Sequence, residues 1–135
     1  MKYVLMTEND LRILLVEDHP FQLRATQYLL ESYGFTHLTS TDSAQSAMQH
    51  LARVIQPFDI LLCDQCLPEL SGLDLIHFAS QRGMIRQAIL LSSLPSIELD
   101  MLETTALQLG LPLLGYITKP LKQTELRNLL TLIQA

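Results

Sequence analysis

The chain has no tryptophan and only two cysteines, Cys63 and Cys66, in 135 residues, so it lacks the disulfide framework that small secreted domains use in place of a core. A reducing compartment suits that composition. Basic residues are scarce as well, 9 against 14 acidic, and the net charge of −5 offers no general attraction to nucleic acid. No Lys/Arg cluster marks a face for a polyanion. Long apolar runs are missing too. Stretches such as Ile60 to Cys63 and Ala88 to Leu91 are far too short to cross a bilayer, and the N-terminus lacks the order of charge, apolar core and small residues that makes a signal peptide. These absences predict a cytoplasmic protein with neither a membrane nor a nucleic-acid partner.

What is present is a hydrophobic content of 48%, enough for one domain to bury a core without staples. Residues 1–11 read as an N-terminal tail, with an alternative start at Met6, and 12–135 as the domain. From Arg12 onward short apolar runs alternate with longer amphipathic stretches, the signature of a parallel sheet covered by helices on both faces. Five such units are legible. The strands are placed at Ile13 to Val16, Phe35 to Thr39, Asp59 to Cys63, Ala88 to Leu91 and Leu113 to Ile117. The first helix runs from Pro20 to Tyr33 with Phe21, Ala25, Tyr28 and Leu29 on its buried face and Gly34 as the stop. The second carries Ala44, Ala47, Met48, Leu51, Ala52 and Ile55 at helical spacing and ends before Pro57. The third, Leu73 to Gln81, buries Leu75, Ile76 and Ala79. A fourth covers Ile97 to Leu109, and Leu126, Leu129, Leu130 and Ile133 mark the last.

In an open parallel sheet, ligands bind beyond the carboxyl ends of the strands. The residues there are polar: Glu17 and Asp18 after the first strand, Asp64 after the third, Ser92 and Ser93 after the fourth, Thr118 and Lys119 after the fifth. Three carboxylates in one place repel unless a cation joins them, and all-oxygen ligands favour magnesium. With Asp64 as nucleophile, an incoming phosphoryl group gains stabilisation from that metal and from the Lys119 ammonium, while the Ser92 hydroxyl bonds a phosphoryl oxygen.

Four segments carry a resemblance: Leu14-Leu15-Val16-Glu17-Asp18; Asp59 to Asp64 with Pro68 and Gly72 beyond it; Ile89-Leu90-Leu91-Ser92-Ser93; and Gly115-Tyr116-Ile117-Thr118-Lys119-Pro120. In this order they resemble the receiver domains of bacterial two-component response regulators, over Arg12 to Ile133. The resemblance implies a flavodoxin-like, doubly wound five-stranded parallel sheet of order 2-1-3-4-5 with five helices. It implies Mg2+ held by Glu17, Asp18, Asp64 and the backbone carbonyl of Cys66, and phosphate accepted on Asp64 from a histidine kinase. Ser92 and Lys119 then bind the phosphoryl group, and Tyr116 is the ring that moves inward as Ser92 engages phosphate. That movement switches an output domain or partner through the face of helix four and strand five. The run from Leu109 to Gly115, with Leu91-Ser92-Ser93, resembles receivers attached to EAL-type cyclic-di-GMP phosphodiesterase domains, which makes such a domain one candidate output. A homodimer is another candidate state.

The chain departs from the family pattern at Leu67 before Pro68, where Met is usual, at Ser71 before Gly72, where Asp is usual, and at Ser92-Ser93, where Thr-Ala is commoner. The extra Leu109-Gly110-Leu111-Pro112 predicts an unusual fourth helix. The rival reading is a phosphate-independent receiver-like module for interaction or dimerisation, against which Glu17, Asp18, Asp64, Ser92 and Lys119 all stand. Cys63-Asp64-Gln65-Cys66 has the spacing of a redox dithiol, but Pro68 and Gly72 intervene before the next helix. A zinc site with His19 or His50 lacks a second ligand pair. A phosphatase of the haloacid-dehalogenase type would carry an acid two residues after the nucleophile, where this chain has Cys66. The chain is therefore not expected to be an enzyme acting on a separate substrate.

Overall fold

The computed structural model describes residues 8–134, so the alternative start at Met6 and most of the expected tail lie outside the described residues. A 3-10 turn at Glu8–Asp10 precedes Leu11, which is buried. Five strands follow: β1 (Arg12–Val16), β2 (His37–Thr41), β3 (Phe58–Asp64), β4 (Ile85–Ser92) and β5 (Leu113–Thr118). They alternate with α1 (Pro20–Ser32), α2 (Ala44–Arg53), α3 (Gly72–Gln81), α4 (Ser96–Gln108) and α5 (Gln123–Leu130). All pairings are parallel and the order is β2-β1-β3-β4-β5, the doubly wound topology expected.

The sheet is apolar on both faces, and strand periodicity sorts its residues into two cores. Leu14, Val16, Leu61, Cys63, Ala88 and Leu90 face α2 and α3, packing on Ala47, Leu51, Ile76 and Ala79. Their neighbours Ile13, Leu15, Ile60, Leu62, Ile89 and Leu91 face the other way, against Leu30 of α1 and Leu126 and Leu130 of α5. Every residue of β3 is buried, as a central strand between two covered faces must be.

Several elements differ from the expectation. The buried face of α1 is Thr26 and Leu30 with Leu23 and Leu29 beside them; Ala25 is exposed, as are Phe21 and Tyr28 at 76% and 71%. The two aromatic rings suggest a buried stripe where the helix in fact meets solvent. α2 stops at Arg53 because Val54 turns extended, leaving Ile55 outside the helix and fully in solvent. β2 starts two residues later than expected because Phe35 is a core plug under α1 rather than a strand residue. α5 ends at Leu130, and Ile133 sits in a 3-10 turn, Thr131–Gln134.

α4 is a regular helix of 13 residues, not an unusual one. The extra residues lie after it. Gly110 takes φ 68°, which lets Leu111 N bond Ala106 O, and Pro112 O then accepts from Ala88 N as the chain enters β5.

Candidate phosphoryl-acceptor site

The order of the sheet reverses between β1 and its two neighbours, and α1 leaves β1 on one side while α3 leaves β3 on the other. Their carboxyl ends therefore open a crevice, and the polar residues after the strands collect there. Glu17, Asp18 and Asp64 each bring a carboxylate oxygen within 4.8 Å of the others. Glu17 is buried, its backbone N–H donating to Thr41 O at 3.1 Å, so that β1 keeps its pairing with β2 to the edge of the pocket. Asp64 is the last residue of β3 and also buried. Asp18 is half-buried.

Lys119 closes this acidic group from the end of β5. Its Nζ donates to Glu17 Oε1 at 2.5 Å and to Asp64 Oδ2 at 3.2 Å, and also to Gln22 Oε1 at 2.7 Å. The backbone N–H of Lys119 bonds Ser92 O at 3.0 Å, locking the ends of β4 and β5 together. A cis peptide joins Lys119 to Pro120. Ser92 is fully buried one residue beyond Leu91, the cross-strand partner of Asp64. Its Oγ accepts from Leu94 N at 3.1 Å, which leaves the hydroxyl proton able to donate.

The loop after β3 is pinned at several points. Asp64 Oδ1 accepts from Cys66 N at 3.2 Å, Gln65 Oε1 accepts from Leu73 N at 2.9 Å, and Gln65 O accepts from Gly72 N at 3.0 Å. Leu67 anchors the loop in the core beneath α3, and Ser71 caps that helix by accepting from Asp74 N. Gly72 has to be glycine: a Cβ there would stand 2.5 Å from Asp64 O and 2.9 Å from Leu90 Cδ2. The motif's glycine thus lets α3 begin in contact with the residue that precedes the loop.

Burial pushes the Glu17 carboxyl above its ordinary range, against the pull of the Lys119 hydrogen bond, and the Asp64 charge adds to the rise. For Lys119 burial works downward, but the Glu17 hydrogen bond and the Asp64 charge outweigh it and the ammonium is held more firmly than usual. The Lys119 ammonium offsets part of the repulsion among the three carboxylates, the same service a bound cation would give. Three carboxylates converging with no nitrogen or sulfur donor fit magnesium.

The remaining candidates fall into place around this pocket. Cys66 is exposed beside Asp64, while Cys63 is buried and directs its thiol to Gly72 O at 3.7 Å. Burial, then the Asp64 charge, raises the pKa of both thiols, the opposite of a reactive dithiol. His19 is exposed and caps α1: its Nδ1 accepts from Gln22 N, while its backbone N–H reaches Glu17 Oε2, both at 3.4 Å. Tyr116 lies outside the pocket. Its hydroxyl donates to Asp100 Oδ1 of α4 at 2.9 Å, an arrangement that raises the phenol pKa. Sequence reasoning missed Gln22, Gln65 and Asp100. Gln22 and Asp100 lie on helices and Gln65 follows Asp64 in the loop before α3, and only the packing of α1, α3 and α4 shows what they touch.

Fold and pocket define a class: a doubly wound α/β domain with an acidic, lysine-capped crevice at its topological switch point. The chain belongs to the response regulator receiver domain family, which residues 13–131 match. It is 39% identical over 72 residues to the two-component response regulator ORR1 of Oryza sativa, covering 48% of this chain and 31% of that protein. It is 30% identical over 128 residues to the cyclic di-GMP phosphodiesterase RocR of Pseudomonas aeruginosa, covering 91% of this chain and 31% of that one. The chain thus spans under a third of the length of these relatives. Its fold is that of a receiver domain from Clostridium thermocellum, with a TM-score of 0.73 at 19% identity over 92% of this chain and 97% of the other. Among the described residues no helix is long and apolar enough to cross a membrane.

Proposed function

We propose that residues 12–135 act as a phosphorelay receiver in the cytoplasm, taking a phosphoryl group on Asp64 from a histidine kinase and passing the signal to an output domain or partner. The observation that carries this reading is Lys119 Nζ seated between Glu17 and Asp64 over a three-carboxylate cluster. An Asp64 carboxylate oxygen attacks phosphorus, the P–N bond of the donor phosphohistidine breaks, and the imidazole leaves with its electron pair. Glu17, Asp18, Asp64 and the Cys66 carbonyl would hold magnesium, which when bound neutralises the carboxylates and draws charge from the phosphoryl oxygens. Lys119 turns from Glu17 toward the incoming group, and the Ser92 hydroxyl donates to a phosphoryl oxygen. The chain serves its own phosphorylation and acts on no separate substrate.

Ser92 also begins the switch. Engaging phosphate draws it and the Leu94 backbone inward, and the Tyr116 ring follows, giving up its bond to Asp100. The face of α4 and β5 changes shape with that ring. Similarity to RocR makes a cyclic-di-GMP phosphodiesterase one candidate output, and a homodimer formed through the same face is the other.

Intact-mass spectrometry after incubation with acetyl phosphate and magnesium tests the reading. The wild-type chain should gain one phosphoryl group, and Asp64→Asn, or wild type without magnesium, should gain none. No adduct under any condition would turn the assignment to a phosphate-independent interaction or dimerisation module on the same fold.

A further inference from the structure

Resting on the proposed function, we infer that Gln22 is a positioning residue that tethers the Lys119 ammonium over the phosphoryl pocket. A lysine ammonium has three protons, and here Glu17 Oε1, Gln22 Oε1 and Asp64 Oδ2 take all three. Two of these acceptors are carboxylates with other duties, since Glu17 and Asp64 are the groups assigned to the cation and the phosphoryl group. Gln22 has neither duty. Its neutral oxygen is the contact that persists when the carboxylates are engaged elsewhere.

The local structure aims this side chain. Gln22 is the third residue of α1, with its backbone N–H bonded to His19 Nδ1, and the His19 N–H is itself bonded to Glu17 Oε2. Helix side chains lean toward the N-terminus, and the N-terminus of α1 lies at the carboxyl edge of β1, so Gln22 is carried back toward the pocket. On the outer side of Lys119 a groove of about 280 Å³, lined by Phe21, Gln22, Ser93 and Pro120, opens to solvent. A lysine stem turns about several bonds, and without the Gln22 oxygen the ammonium can swing into that groove and be hydrated instead of facing phosphate. A neutral amide suits this role because it holds the ammonium without cancelling the charge that the phosphoryl oxygens need.

Two variants separate this role from a structural one. Gln22→Met keeps the length of the side chain and removes the acceptor; Gln22→Glu keeps an acceptor at the same place. Gln22 is exposed, so both should fold with the wild-type melting temperature. The chain has three lysines, Lys2, Lys119 and Lys122, so the Lys119 ammonium can be assigned by NMR in lysine-15N protein with Lys119→Met as the reference. Without metal or phosphodonor, that signal should be present in wild type and Gln22→Glu and lost to solvent exchange in Gln22→Met. Phosphorylation by acetyl phosphate should slow on the order of three- to tenfold in Gln22→Met, the size of one ordinary net hydrogen bond, since solvent weakens this exposed contact. A Gln22→Met chain with the wild-type ammonium signal and the wild-type rate overturns the inference. A wild-type chain that takes no phosphate is a different result: it overturns the proposed function, and the role of Gln22 falls with it.

Discussion

Glu17 and Lys119 set how the pocket answers to pH and to cations. The folded pKa of Glu17 is raised above 4.5, chiefly by burial, so the native state holds this proton more tightly than the unfolded chain does. Its contribution to stability is complete below about pH 4.5 and is lost as pH rises through the raised value. Lys119 has the opposite range: its pKa lies above 10.5, and the stability it brings is present throughout the neutral range and lost only as pH climbs through the folded value. A divalent cation favours the ionised Glu17. Magnesium should therefore raise the melting temperature by about a few degrees near neutral pH, and by clearly less near pH 4.5, where Glu17 keeps its proton. Thermal melts with and without magnesium at the two pH values check this, and an equal effect at both would contradict it. Glu17, Asp18, Asp64, Ser92 and Lys119 were legible because each ends or closely follows a strand, where a change from apolar to polar marks the edge of the sheet. Gln22, Gln65 and Asp100 were not, because a polar residue on a helix or loop carries no sign of which neighbour it will meet.

Among the elements, α4 and β5 are the pair that the proposed switch acts on. Tyr116 is half-buried against the core on the α2/α3 face of the sheet and is tied to α4 by one hydrogen bond to Asp100. That bond, together with partial burial and the charges of Asp100 and Glu103, lifts the phenol above its ordinary 10.0. Asp100→Ala should return the Tyr116 titration toward 10.0, read by NMR of ring-labelled tyrosine. It should also speed phosphoryl uptake by up to about fivefold, because the outward ring loses the contact that favours it. An unchanged titration and rate would mean that Asp100 does not hold the ring. The inner strands β1, β3 and β4 were the legible elements, since burial on both faces leaves an apolar run that needs no phase, whereas the polar edge strand β2 was placed two residues early. The phase of α1 was not, because Phe21 and Tyr28 point their rings into solvent while Thr26 is buried. The stop of α2 was hidden by Ile55, an apolar residue at helical spacing that the backbone leaves behind.

For the whole molecule, the order β2-β1-β3-β4-β5 turns residues scattered from position 17 to 119 into one crevice. β3 is the axis of that arrangement: paired on both sides and buried throughout, it presents Asp64 from a strand with no exposed residue. Gly72 and the Lys119 link to Ser92 then fix the loops around it. In the proposed function Asp64 alone carries the phosphoryl group, and chemical trapping locates that group residue by residue. Borohydride reduces an aspartyl phosphate to homoserine, and the tryptic peptide from Val54 to Arg82 holds Asp59, Asp64 and Asp74 together as internal controls. After incubation with acetyl phosphate and magnesium, peptide sequencing by mass spectrometry should find homoserine at position 64 and intact aspartate at positions 59 and 74. Homoserine at another aspartate, or none in a chain shown to be folded, would contradict the account.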